Sequence, residues 1–296
     1  MPKSAFTTTS TVLALFPCLL SLSLLAPVAH ADTAAPVVIG HRGAAGLAPE
    51  NTLEAVDRAD RAEIDWVEVD VQRSKDGVLV LMHDQDLVRT TDARTVFPGR
   101  APWKVDGFTM AELGRLRAGA SREWTGSGYE AARIPTLEQL LDRLDRNDQG
   151  LVLEVKWPAN HPGITQDILR VLDGKGWLDG HHVNNRLYAI SFQAAALKEI
   201  RARRPDIRLG ICTEQEPTSD ELASYAKFAD VINPEHHTAT AGLVNRAHAL
   251  NSPHGKPLKV WPYTVNTSAE ARRLRDLQVD GFTSDVPDLM RKELGQ

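Results

Sequence analysis

The chain has 296 residues, with 34 Lys and Arg against 39 Asp and Glu for a formal net charge of −5, and two cysteines. This mildly acidic balance excludes a protein that holds nucleic acid by neutralising phosphates. Apolar and aromatic residues make up 42% of the chain, enough for an ordinary buried core, and the length is close to the ~250 residues of a single α/β barrel.

Residues 1–31 read as a cleaved secretory signal: a cationic start at Lys3, an apolar run from Val12 to Val28, and Ala29-His30-Ala31 before Asp32. Pro17 and Ser21 interrupt the run, which leaves it short of the ~20 residues of a membrane-spanning helix. A secreted or periplasmic protein without a stable membrane anchor is therefore expected. Cleavage removes Cys18 and leaves Cys212 alone, so no intramolecular disulfide is possible. Within Leu209-Gly210-Ile211-Cys212 that thiol reads as a small buried hydrophobe. Residues 32–296 are expected to form one domain.

From Val37 onward, β-branched runs alternate with amphipathic stretches, the pattern of βα units around a parallel sheet. Eight barrel strands are predicted near 37–42, 66–71, 151–156, 187–192, 207–212, 230–233, 258–265 and 280–284. The first ends in His41-Arg42-Gly43, and polar residues at the C-terminal end of a barrel strand tend to be catalytic. In Pro49-Glu50-Asn51-Thr52, Asn51 is read as the cap of the next helix, with Glu54 at the third helical position. Glu50 is left as a salt-bridge partner for Arg42 or a substrate contact.

The second strand, Trp66-Val67-Glu68-Val69-Asp70-Val71-Gln72, puts its valines on one face and Glu68, Asp70 and Gln72 on the other. If the valines pack against helices, the two carboxylates point into the barrel. Such a pair is costly unless hydrated, protonated or bridged, and a hard divalent cation is the simplest bridge. Only Ser74-Lys75-Asp76-Gly77 separates this strand from the run Val78 to Met82, too few residues for a parallel crossover, so that run must return as a hairpin. The return sets His83 beside Glu68 to Asp70. Residues 85–135 fit no barrel unit: turn-rich stretches surround one helical pattern, Thr109 to Leu116, and the segment is read as an inserted cap at the barrel mouth.

The third barrel strand repeats the parity, with Leu151, Leu153 and Val155 alternating with Val152, Glu154 and Lys156. Glu154 adds a third carboxylate, and Lys156 stands where an anionic substrate would arrive. Helices are expected over Ala194 to Arg203 and Ser268 to Leu277, the second capped by Ser268. His181 and His182 are placed in a polar loop, and His161, His248 and His254 are isolated. His236 and His237 follow the sixth strand, as an exposed loop or a substrate contact. Two histidines, three carboxylates, Arg42 and Lys156 thus converge on one mouth, a set suited to phosphodiester cleavage with the histidines as base and acid.

The sequence resembles the glycerophosphodiester phosphodiesterase family, most closely its secreted or periplasmic branch. The likeness rests on His41-Arg42-Gly43, Pro49-Glu50-Asn51-Thr52, the Glu68 and Asp70 strand, His83-Asp84, Leu153-Glu154-Val155-Lys156, Ser191-Phe192, Trp261-Pro262-Tyr263-Thr264-Val265-Asn266 and Gly281-Phe282-Thr283-Ser284-Asp285. It implies a (β/α)8 TIM barrel of the phospholipase C-like phosphodiesterase type. It also implies one Ca2+ or Mg2+ on Glu68, Asp70 and Glu154, an acid–base pair in His41 and His83, and phosphate contacts from Arg42 and Lys156. Phe192, Tyr263 and Glu50 join these as substrate contacts, Tyr263 standing where many members carry a tryptophan. The implied reaction takes a glycerophosphodiester through a cyclic phosphate to glycerol 3-phosphate and an alcohol. Two other readings stay open on the sequence: a phospholipase D-like enzyme on lysophospholipid or sphingomyelin, and a non-catalytic module binding glycerophosphate polymers.

Overall fold

The structure is a computed structural model that describes residues 1–8 and 35–296. The predicted signal over 1–31 lies, from residue 9 on, outside the described residues. The chain divides between Thr33 and Ala34, and the unit from Ala34 to Gln296 carries all the described secondary structure.

Nine strands form one sheet: β1 (Val37–Gly40), β2 (Trp66–Arg73), β3 (Leu79–Leu81), β4 (Gly150–Val155), β5 (Leu187–Ser191), β6 (Arg208–Thr213), β7 (Val231–Pro234), β8 (Lys259–Val260) and β9 (Gly281–Ser284). Eight run parallel in the order β8-β7-β6-β5-β4-β2-β1-β9, and β3 folds back antiparallel on β2. The two ends of this order meet through backbone bonds beyond the regular ladder. Asp280 N donates to Val260 O, Thr283 N to Pro262 O and Val265 N to Thr283 O, so the parallel strands form a nearly closed barrel.

The parity read from the sequence decides the layers. Val67, Val69 and Val71 of β2 and Leu151, Leu153 and Val155 of β4 pack outward in the main core with helices such as Leu137–Asn147 and Ile164–Gly174. Inside the barrel, Ile39, Val152, Tyr188, Ile190, Cys212, Val231 and Trp261 form an apolar plug. Burial also pushes the Cys212 thiol well above its usual range, which leaves it an inert part of that plug.

The segment 85–135 builds a small core of its own, in which Leu87, Phe97, Phe108, Leu113 and Leu116 pack on Val80 and Met82 of the hairpin. Its helices are short, Ala93–Val96 and Met110–Leu113, the second closed by a capping box from Thr109 and Glu112.

Four local expectations are corrected. The strand expected over 258–265 is two residues long, β8, because Pro262 has no N–H to give to a ladder. Thr267, not Ser268, caps the helix Ser268–Asp276, accepting from Glu270 N. His181 and His182 lie in a short helix, Gly180–Asn185, capped by Asp179. Thr52, not Asn51, caps the helix Leu53–Arg61, accepting from Ala55 N at 3.2 Å.

The turn after β1 requires a glycine at Gly43. Gly43 has φ +89°, and a Cβ there would stand 2.7 Å from the Ala55 side chain and 2.9 Å from its carbonyl carbon. The close approach lets Gly43 N donate to Glu68 O at 2.9 Å, tying the turn to β2. Gly43→Ala is expected to cost about 2–4 kcal/mol through strain and overpacking. Urea unfolding checks this, and a change below about 0.5 kcal/mol would contradict the assignment.

Candidate active site

The barrel mouth is organised by the pairing of β2 with β4. Asp70 stands directly beside Glu154 in the parallel register, and Glu68 is one inward position below. All three carboxylates are buried, and each offers an oxygen within 4.8 Å of the others. Burial, then the neighbouring Asp70 and Glu154, raise the Glu68 carboxyl well above its usual range. Burial and Asp70 push Glu154 up to about 7, against the pull of Lys156. Asp70 goes the other way: burial would raise it, but Lys156, Arg42, His83 and Asn51 together hold it low.

Two cations answer these charges. Lys156 Nζ lies 2.9 Å from Glu154 and 3.5 Å from Asp70, and Arg42 Nε lies 3.6 Å from Asp70. The Arg42 backbone sits in the left-handed region at φ 51°, which turns its N–H onto Glu68 Oε2 at 2.9 Å. Among the described residues, Glu68 Oε1 remains buried without a hydrogen-bond partner. An orphaned carboxylate oxygen among three converging hard donors fits a divalent cation.

The two predicted histidines flank this cluster, and each has its own carboxylate. His41 Nδ1 meets Asp285 Oδ1 at 2.6 Å, while its Nε2 lies 3.9 Å from Glu68. Asn266 steadies Asp285 by donating to Oδ2 at 2.6 Å and accepting from the Asp285 N–H. Burial would raise the Asp285 carboxyl, but the hydrogen bond and charge of His41 hold it low. His83 Nδ1 meets Asp84 Oδ1 at 2.7 Å. A carboxylate at Nδ1 keeps the proton there and leaves Nε2 for a substrate.

The hairpin carries His83 to the mouth as the sequence predicts, and Gln72 fixes its end. The Gln72 side chain donates to Met82 O at 2.8 Å and Asp84 O at 2.6 Å, and Trp157 Nε1 donates to His83 O at 3.2 Å. Sequence reasoning missed these supports, together with the roles of Asp84, Asp285 and Asn266. The Asp84 position had a legible signal, since it directly follows His83. Arg89, in the inserted segment, had none. Its guanidinium takes both oxygens of Glu50, at 2.6 and 2.7 Å, and both oxygens of Asp84, at 2.7 and 3.1 Å.

Glu50 in turn accepts from Arg42 Nη1 at 2.8 Å. It lines neither cavity at the mouth, so the structure places it behind Arg42 and away from the substrate space that the sequence offered it. Asn51 is no cap: from φ 56° its side chain donates to Asp70 Oδ2 at 2.8 Å and accepts from Asp70 N at 3.0 Å. His236 and His237 lie in the turn after β7, with His236 between Glu235 and Glu270.

Two cavities open here. The inner one, about 160 Å³, is bounded by His41, Arg42, Glu68, Cys212 and Tyr263. The outer one, about 310 Å³, is bounded by Trp157, Pro158, Gln193 and Glu214. They share His83, Glu154, Lys156 and Phe192, which marks where they meet. Tyr263 is fixed by its hydroxyl, which donates to Thr213 O at 3.1 Å, and its ring meets Phe192 edge-on.

Comparison with known proteins agrees with this geometry. The profile of the "Glycerophosphoryl diester phosphodiesterase family" matches residues 41–289. The chain is 30% identical over 268 residues to a glycerophosphodiester phosphodiesterase of Bacillus subtilis (strain 168), covering 86% of this chain and 85% of the relative. It is 27% identical over 258 residues to a glycerophosphodiester phosphodiesterase of Caldanaerobacter subterraneus subsp. tengcongensis, covering 86% and 96%. Among solved structures it is similar to an Oleispira antarctica phosphodiesterase in complex with the product sn-glycerol-3-phosphate, with TM-score 0.74 and 29% identity over 88% of this chain and 98% of that one.

The assignment of Asn51 to Asp70 is separable from a helix cap. Thr52→Ala should cost about 1 kcal/mol, the usual worth of an N-cap. Asn51→Ala should cost about 2–4 kcal/mol, because a buried carboxylate loses its donor and alanine must hold a left-handed backbone. Equal losses in urea unfolding would return Asn51 to an ordinary turn position.

Proposed function

The chain belongs to the glycerophosphoryl diester phosphodiesterase family, and we propose that it hydrolyses glycerophosphodiesters to glycerol 3-phosphate and an alcohol by paired histidine catalysis. The observation that carries the reading is the pair of carboxylate-held histidines flanking one buried acidic cluster. Glu68, Asp70 and Glu154 would hold one Ca2+ or Mg2+, which supplies positive charge beside the phosphate when bound.

The remaining chemistry falls to the chain. Arg42 and Lys156, in the wall of the inner cavity, face the non-bridging oxygens. His41 lines only the inner cavity, whereas His83 lies where the two cavities meet. This supports the glycerol moiety inside and the leaving alcohol outside. His41 Nε2 takes the proton of the neighbouring glycerol hydroxyl as its oxygen bonds to phosphorus. His83 Nε2 gives its proton to the departing alcohol as that P–O bond breaks. The cyclic phosphate is then opened by water with the roles reversed, His83 taking the proton from water and His41 returning one to the ring oxygen. The product in the Oleispira antarctica complex, sn-glycerol-3-phosphate, is the product this route yields.

We further propose a location outside the cytoplasm, supported by the signal-like pattern of residues 1–31. Among the described residues no helix is long and apolar enough to cross a membrane.

Chelation with EDTA is expected to abolish turnover, and Ca2+ or Mg2+ to restore it and raise the melting temperature. His41→Ala and His83→Ala should each lower kcat by about 10²–10⁴ while unfolding as the wild type does. Phosphorus NMR should show a cyclic glycerol phosphate before glycerol 3-phosphate. Full activity in chelator would remove the cation from the account, and unchanged kcat in either variant would remove that histidine.

A further inference from the structure

The outer cavity has a chemistry that the phosphodiesterase reading does not use. Two large aromatic side chains are exposed on its wall, Trp157 at 36% and Phe192 at 40%, where most large apolar side chains of the folded unit are buried. Trp157 is held in the left-handed region at φ 47°, an unusual backbone for a bulky residue, and its indole N–H is fixed on His83 O. The ring is thus pinned beside the residue that faces the leaving oxygen.

Lys156 shows what this space favours. Its ammonium lies 5.7 Å from the centroids of both the Trp157 and the Phe192 rings. Glu154 and Asp70 neutralise that ammonium, and both rings stay over a third exposed with it in place. On the open side stands the exposed carboxylate of Glu214, which also lines a neighbouring cavity of about 440 Å³ with Glu216 and Glu221. Arg246 pairs with Glu216, whereas Glu214 has none of the ion pairs found among the described residues. Aromatic faces beside a free carboxylate recognise a permanent cation, and the acidic rim repels a polyanion.

We propose that the outer cavity selects a leaving alcohol that carries a quaternary ammonium, held against Trp157 and Phe192 and facing Glu214. This rests on the phosphodiesterase reading and specifies its substrate class. It disfavours polymeric glycerophosphate, whose next phosphate would fall on the acidic rim. It also disfavours a long acyl chain, which would lie across that rim.

The test compares kcat/KM for glycerophosphocholine and the uncharged glycerophosphoglycerol, on the full enzyme with added divalent cation. Calorimetric binding of choline and its neutral isostere 3,3-dimethylbutan-1-ol runs alongside. The cationic diester is expected to be favoured about tenfold, the size of a partly desolvated cation–π contact. Glu214→Gln should reduce that preference with turnover of the neutral diester little changed, whereas Trp157→Ala, which also loses a support of His83, should lower turnover of both diesters but the cationic one further, removing most of the preference. Choline should bind more tightly than its isostere, a comparison that needs no variant and so survives misfolding of either one. Equal kcat/KM for the two diesters, equal loss of both in Trp157→Ala, or preference for a lysophospholipid would overturn the proposal. If no diester is cleaved at all, the phosphodiesterase reading fails instead, and choline affinity still reports on the cavity.

Discussion

The structure depends on one electrostatic constraint: three carboxylates are buried within 4.8 Å of one another on two adjacent parallel strands. Like charges so placed repel strongly in a medium of low dielectric. Arg42 and Lys156 supply two positive charges, but Arg42 also serves Glu50, and Glu68 keeps an unpartnered oxygen. The surplus negative charge is what a cation would complete. This is why Asn51 gives its side chain to Asp70, and why Arg42 adopts a left-handed backbone that aims its N–H at Glu68.

A second set of carboxylates positions the groups that act on a substrate. Asp285 and Asp84 hold His41 and His83 by the same ring nitrogen, Nδ1. Other side chains support them in turn: Asn266 holds Asp285, Arg89 holds Asp84 from five residues further on, and Gln72 and Trp157 hold the backbone of the His83 segment. Arg89 joins the two halves of the site. It grips the aspartate behind His83 and the glutamate behind Arg42, so a shift of the inserted segment would disturb a proton-transfer group and an anion-binding group together. The inserted segment contributes no residue to the walls of the two cavities, and this contact is its link to them.

What was legible in the sequence follows period and spacing. The alternation of Glu68, Asp70 and Gln72 with valines, and of Glu154 and Lys156 with Leu151, Leu153 and Val155, foretold which side chains enter the barrel. The short turn at Lys75 and Asp76 forced β3 to return and bring His83 with it. The caps slipped by one residue, because Asn51-Thr52 and Thr267-Ser268 each offer two capping side chains in a row. Only the buried carboxylate of Asp70, 19 residues away, decides that Asn51 is needed elsewhere. The Arg89 contact with Glu50 spans 39 residues between two irregular segments, where no periodicity exists to read. The strand expected over 258–265 was overestimated because an apolar run through Trp261-Pro262-Tyr263 looks like a strand until the missing N–H of Pro262 is counted.

The central claim is that one cation completes the Glu68, Asp70 and Glu154 cluster. Anomalous diffraction from crystals grown with Mn2+, a hard divalent ion suited to the same oxygen donors, tests it most directly. The account predicts a single strong peak between the three carboxylates, lost in crystals of Asp70→Asn. A fully active protein whose crystals show no peak there, or show one only at another site, would contradict it.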